Sequence, residues 1–370
     1  MEKNELGSII IYLVMFALIY LVGQTVITIS ISELGYSSSQ AWPYVLICMA
    51  ISVVLFVLIY ELGHIVGAKI GKYKLTYINI LSFCFYKQVN KWKFKFEGFE
   101  GLFSETRFAP ISDDANPAHF LRGGILTFIL SIIVAFVLFM VEPILPTIRY
   151  GSLIYIGMGL VFILYNVIPM KTDILNDGYR LKLLGKKENA KAYNEFLRIE
   201  EQIRHGELPS NIMIYENISP MTVLINKYAY YERLSKKDYQ EAEKIVDLIL
   251  ANEKELDTTT IYVYRFQKLF FEIKNKNIEE ATKYYWDVLE SGDRKILAKD
   301  NHISTRRVYL LVSGLINESL SESKIAIEGM KKRIEKIEDK TQREVELKLY
   351  EEAIEIVSKK LNTEELIKEF

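Results

Sequence analysis

A carboxylate and an imidazole stand three residues apart, at Glu61 and His64, just beyond a run from Ala41 to Tyr60 that carries no charge. Ionisable groups within a membrane span are costly and default to a functional reading. On a helix, positions three and four apart share one face. The stretch Tyr60-Glu61-Leu62-Gly63-His64 differs by one residue from H-E-x-x-H. In that pattern two histidines at i and i+4 hold zinc and the glutamate serves as general base. Here tyrosine takes the first position. A glutamate and a histidine at a membrane boundary also have a plain reading, as interfacial residues marking the exit into headgroups.

Two stretches farther along offer partners. Asn166-Val167-Ile168-Pro169 closes an apolar run, and Asp177-Gly178 follows. Proline at a helix end frees backbone groups, which Asn166 is suited to satisfy, and Asp177 offers a carboxylate ligand. Arg122-Gly123-Gly124 opens another apolar run, where paired glycines permit close approach of a helix or of backbone. His119, just before it, reads as an interfacial residue.

The elements that must position these groups are membrane helices. Half of the 370 residues are apolar, and almost all the long apolar runs fall before Met170. Four runs, near Ser8–Ser30, Trp42–Ile65, Gly124–Met140 and Gly151–Met170, approach the roughly 20 residues of helix that cross a bilayer. The first exceeds the apolar core of a signal peptide, about 7–15 residues, and is read as an uncleaved span. Lys69, Lys72, Lys74, Lys87, Lys91, Lys93, Lys95 and Arg107 lie between spans two and three, and Lys171, Arg180, Lys182, Lys186 and Lys187 beyond span four. That bias predicts a multi-pass protein with both termini cytoplasmic. The net charge of −1 gives no electrostatic footprint for nucleic acid, and Cys48 and Cys84 make no disulfide framework.

Residues 1–40 are read as the first helix and its outer loop, 41–184 as a membrane core, and 185–370 as a cytoplasmic helical domain. Within the core, about 72–110 alternates aromatic or aliphatic with polar residues, with Gly98 and Gly101 as punctuation. This predicts β-hairpins at the membrane surface, whose open edge could hold an extended peptide. In the last part, Asp238-Tyr239-Gln240-Glu241 is echoed by Asn277-Ile278-Glu279-Glu280 and by Ser319-Leu320-Ser321-Glu322. Offsets of about 40 residues suggest helix-hairpin repeats, loosely tetratricopeptide-like, or a plain helical bundle.

Taken together, Glu61-Leu62-Gly63-His64, Arg122-Gly123-Gly124 and Asn166-x-x-Pro169 with Asp177-Gly178 resemble the site-2 protease family of intramembrane zinc metalloproteases. The resemblance covers about Trp42 to Leu184 and leaves out the C-terminal domain. It implies a mainly α polytopic membrane protein that holds Zn2+ through His64, Asp177 and position 60. Glu61 would be the catalytic base, and Asn166, Gly123 and Gly124 would contact substrate. The implied partners are the lipid bilayer and a transmembrane or membrane-proximal peptide cleaved near the cytoplasmic face, with a protein partner for the C-terminal domain. Tyr60 departs from the pattern, as a phenolate ligand, as the mark of a pseudoprotease that binds membrane helices or peptides without cutting them, or as an alteration of an otherwise active enzyme.

Overall fold

The computed structural model describes residues 3–88, 91–96, 98, 104–142, 144–170, 175–275, 277–300, 302–335, 337 and 339–369. Gly101 and Lys171, used above, lie outside them. The chain divides into two compact units, Met1–Leu197 and Arg198–Phe370.

The first unit begins with α1 (Lys3–Ser32) and α2 (Ser38–Ile70). Strands β1 (Tyr73–Ile80), β2 (Phe83–Gln88), β3 (Lys91–Phe96) and β4 (Glu105–Pro110) follow. Then come α3 (Ala118–Met140), α4 (Pro146–Val167), α5 (Asp177–Leu184) and α6 (Lys187–Arg204), within which the chain passes to the second unit. Among the described residues four helices are long and apolar enough to cross a membrane: Leu13–Ser32, Ser38–Ile70, Ala118–Met140 and Pro146–Val167. Side chains such as Phe16, Leu46, Leu130 and Phe136 stay exposed on them. Lipid tolerates that exposure and water does not.

Helix α2 has 33 residues, about 50 Å of helix, of which the uncharged stretch 41–60 spans about 30 Å, the thickness of a hydrocarbon core. Glu61 is the first charged residue after that stretch. Helix α3 crosses α2 closely because glycines face glycines. A Cβ on Gly63 would lie 2.6 Å from the Gly123 carbonyl, and one on Gly123 would lie 2.7 Å from the Gly67 Cα. Such small-residue stripes are how membrane helices approach each other without a hydrophobic driving force.

The strands form one antiparallel sheet in the order β3-β2-β1-β4, placed in the chain between α2 and α3. Its register pairs Ile78 with Phe85 and with Thr106, and Phe85 with Phe94. Only Gly71 and Lys72 separate β1 from the end of α2, so the sheet starts where the span stops.

The second unit is helical: α7 (Thr222–Ser235), α8 (Tyr239–Leu250), α9 (Thr258–Lys274), α10 (Ile278–Lys283), α11 (Ser291–Lys299), α12 (Ile303–Leu315), α13 (Leu320–Ile334), α14 (Lys340–Lys360) and α15 (Glu365–Glu369). The echoed tetrapeptides are helix starts. Asp238, Asn277 and Ser319 accept the backbone N–H of Glu241, Glu280 and Glu322 at 3.3, 3.1 and 3.4 Å. An Asp, Asn or Ser cap followed by Glu at the third position is a start signal for many helices, not for one repeat family. Consecutive helices pack in pairs, but α14 also returns to α7 and to α12.

Candidate functional site

Helix α2 presents Tyr60, Glu61 and His64 near its end, all buried. Facing them is Asp177, the first residue of α5. Asn176 sets that helix start. Its Oδ1 accepts the Tyr179 N–H at 2.9 Å, and its amide donates to the carbonyls of Tyr165 and, at 2.7 Å, Ile168. Those carbonyls lie at the end of α4, where Pro169 cannot continue the helical hydrogen bonding. Gly178 lets the turn sit there, since a Cβ would run into the Val167 carbonyl.

The four side chains form one network. The Tyr60 hydroxyl donates to Asp177 Oδ2 at 2.6 Å, and His64 Nε2 lies 2.9 Å from the same oxygen. His64 Nδ1 stands 3.4 Å from Glu61 Oε2, a long contact for a hydrogen bond. Thr106 of β4 donates to that Glu61 oxygen at 2.7 Å. A single imidazole thus lies between two carboxylates, with one hydroxyl on each. Relative exposure is 6% for Tyr60, Glu61 and Asp177 and 9% for His64, so bulk water contributes little to their solvation.

Tyr60 is held on its apolar side as well. Its ring meets His64 edge-on at 4.6 Å, Phe162 at 5.2 Å and Phe128 at 6.1 Å between centroids. It belongs to a buried cluster with Phe56, Phe128, Tyr155 and Ile163. An aromatic body in the core with its hydroxyl on a buried acceptor is the arrangement that suits tyrosine.

The remaining sequence candidates, Asn166, Gly123 and Gly124, make the following contacts. The side-chain amide of Asn166 donates to the Phe162 carbonyl of its own helix at 3.0 Å, and the role of satisfying the α4 end falls to Asn176. Gly123 is occupied by its packing on Gly63 and Gly67. A Cβ at Gly124 would fall on the His64 imidazole, so this glycine makes room for the ring. Asn176 was legible as a helix cap before Asp-Gly. Thr106 carried no signal beyond strand alternation.

A catalytic zinc takes three protein ligands drawn from His, Cys, Asp and Glu, and leaves a position open. With Glu61 as base, this chain supplies an imidazole, one carboxylate and a phenol. Among the described residues no group of three or more His, Cys, Asp or Glu is arranged to hold a metal ion. To ligate a metal, Tyr60 would have to surrender the proton it gives to Asp177, beside two carboxylates. Among the described residues, the donor set does not fit a catalytic zinc. Comparison with family models, with curated proteins and with solved structures gives no match.

Proposed function

We propose that the chain is a membrane-embedded binding protein with a site-2-protease-like core, which captures a transmembrane or membrane-proximal peptide without cutting it. The single observation that carries this reading is the Tyr60 hydroxyl donating to Asp177 Oδ2, where the related motif has a metal-ligating histidine. A peptide that unwinds inside a bilayer exposes backbone N–H groups that lipid cannot satisfy. Buried carboxylate oxygens at Glu61 and Asp177 offer acceptors for them. By the charge bias of its loops, the site lies on the cytoplasmic side, with the helical unit there to meet a protein partner.

A second reading, a zinc protease of the same architecture, is favoured by one feature. Two carboxylates meet a single imidazole, and that excess of negative groups suits a cation. The two readings part at Glu61. Quantitative profiling of peptide termini in cells carrying the unmutated chain or Glu61→Gln is expected to give the same fragments from both. Fragments that vanish with Glu61→Gln, while the protein stays folded, would overturn the binding reading.

A further inference from the structure

Strand β3, Lys-Trp-Lys-Phe-Lys-Phe, is exposed at all six positions and forms one edge of the sheet. Phe83, Phe85, Trp92, Phe94 and Phe96 are each between 44% and 61% exposed. Register puts them on one face, because directly opposed residues of antiparallel strands point to the same side. Phe83 opposes Phe96, Phe85 opposes Phe94, and Trp92 opposes Lys87. The rings touch across the strands, with Phe85–Phe94 centroids at 5.1 Å and Phe83–Phe96 at 5.5 Å. Lys91, Lys93 and Lys95 alternate with them and take the other face.

The same register says which way the aromatic face looks. Ile78 opposes Phe85 on one side and Thr106 on the other, so Thr106 belongs to the aromatic face. Thr106 reaches Glu61, on a helix long and apolar enough to cross a membrane. The exposed rings are therefore turned to the side on which α2 lies, at the level where its uncharged stretch ends. In water, five half-exposed rings next to an open edge would be an aggregation liability.

We propose that the β2–β3 hairpin is a bilayer-surface element. Its aromatic face lies in the boundary between headgroups and acyl chains, and the lysines of its other face and its end lie among anionic headgroups. Aromatic rings concentrate at that depth, and lysine stems are long enough to carry their ammonium groups out to phosphate. The sheet thereby fixes the depth of Thr106, and with it the hydroxyl on Glu61. This inference rests on the membrane spans and the register, not on whether the site cuts or binds.

The test uses the full chain in nanodiscs of phosphatidylcholine and phosphatidylglycerol. The chain has three tryptophans. Trp42→Phe with Trp286→Phe leaves Trp92 as the sole reporter. With phosphatidylcholine brominated on its acyl chains, Trp92 is expected to lose about half its emission, as an aromatic seated at the boundary would. In a background also carrying Trp92→Phe, Phe94→Trp should be quenched similarly and Lys93→Trp clearly less. Trp92 emission insensitive to brominated lipid overturns the proposal. Quenching by aqueous iodide would then place the face in water, and protection from iodide would show that a peptide or protein covers it. Stronger quenching of Lys93→Trp than of Phe94→Trp would overturn it equally, by reversing the faces.

Discussion

The Tyr60–Asp177–His64–Glu61 network of the first unit has a counterpart in the second, where Arg307 and Glu346 are both fully buried. Arg307 Nε donates to Glu346 Oε2 and Nη2 to Gln267 Oε1, each at 2.9 Å, and the guanidinium lies 3.9 Å over the Phe270 ring. Tyr231 donates to the other Glu346 oxygen and Tyr230 to Gln267. One cation meets one carboxylate, four helices (α7, α9, α12 and α14) supply the members, and no member is open to a ligand. In the first unit two carboxylates meet one imidazole, and the members come from near the end of α2, the start of α5 and strand β4. Buried charge alone therefore does not mark a functional site. The two clusters differ in charge: one cation for one carboxylate in the second unit, two carboxylates for one imidazole in the first.

The contrast can be broken most forcefully in the second unit. Arg307→Ala leaves Glu346 uncompensated and is expected to cost about 3–5 kcal/mol, read as loss of cooperative unfolding or rapid trypsin digestion. Arg307→Met with Glu346→Leu should recover most of that, as apolar replacements of buried pairs do. If the single and the paired variants behave alike, Arg307 and Glu346 do not compensate each other's charge. In the first unit, Gly67→Leu should cost about 1–3 kcal/mol by overpacking, seen as a lower melting temperature in detergent, while Ile70→Leu at an exposed position should be silent. Tyr60→Phe should be milder, about 0.6 kcal/mol, the average for a side-chain hydrogen bond between membrane helices. A large loss there would mean that Tyr60 does more than donate to Asp177.

The smallest expected effect depends on pH. Glu232 accepts from the N–H groups of Asn211 and Ile212 at 2.7 and 2.9 Å and from Lys236 at 2.6 Å. Burial alone would raise its pKa, but Lys236 and the two backbone donors hold it below the ordinary value. Its stabilisation is thus present above the unfolded glutamate range, about 4.3, and is lost as pH falls from there through the folded value. Melting curves across that window should fall less steeply for Glu232→Gln than for the unmutated chain. Equal slopes would remove Glu232 from the account.

Much of this was legible in the residues. Uncharged runs of membrane length announce the spans, and alternation announces the sheet, because these patterns report a local period. Glu61 and His64 stood out for the same reason, as charge where lipid penalises it. What could not be read were contacts set by tertiary placement. Thr106 reaches Glu61 only because β4 pairs with β1 in one particular register. Asn166 and Asn176 are the same side chain ten positions apart, and only tertiary placement decides that Asn176 satisfies the end of α4. Gly123 and Gly124 read as places where a helix or backbone comes close, and only tertiary placement says that the neighbours are Gly63, Gly67 and His64.

The central claim is that the Tyr60 proton occupies the place of a metal. Metal content by mass spectrometry of the purified full chain, unmutated and Tyr60→His, after equilibration with zinc and desalting, tests it most directly. The account predicts well under one zinc per chain for the unmutated protein and close to one for Tyr60→His, which restores three ligands with His64 and Asp177. Stoichiometric zinc in the unmutated protein, lost on His64→Ala or Asp177→Ala, would contradict it.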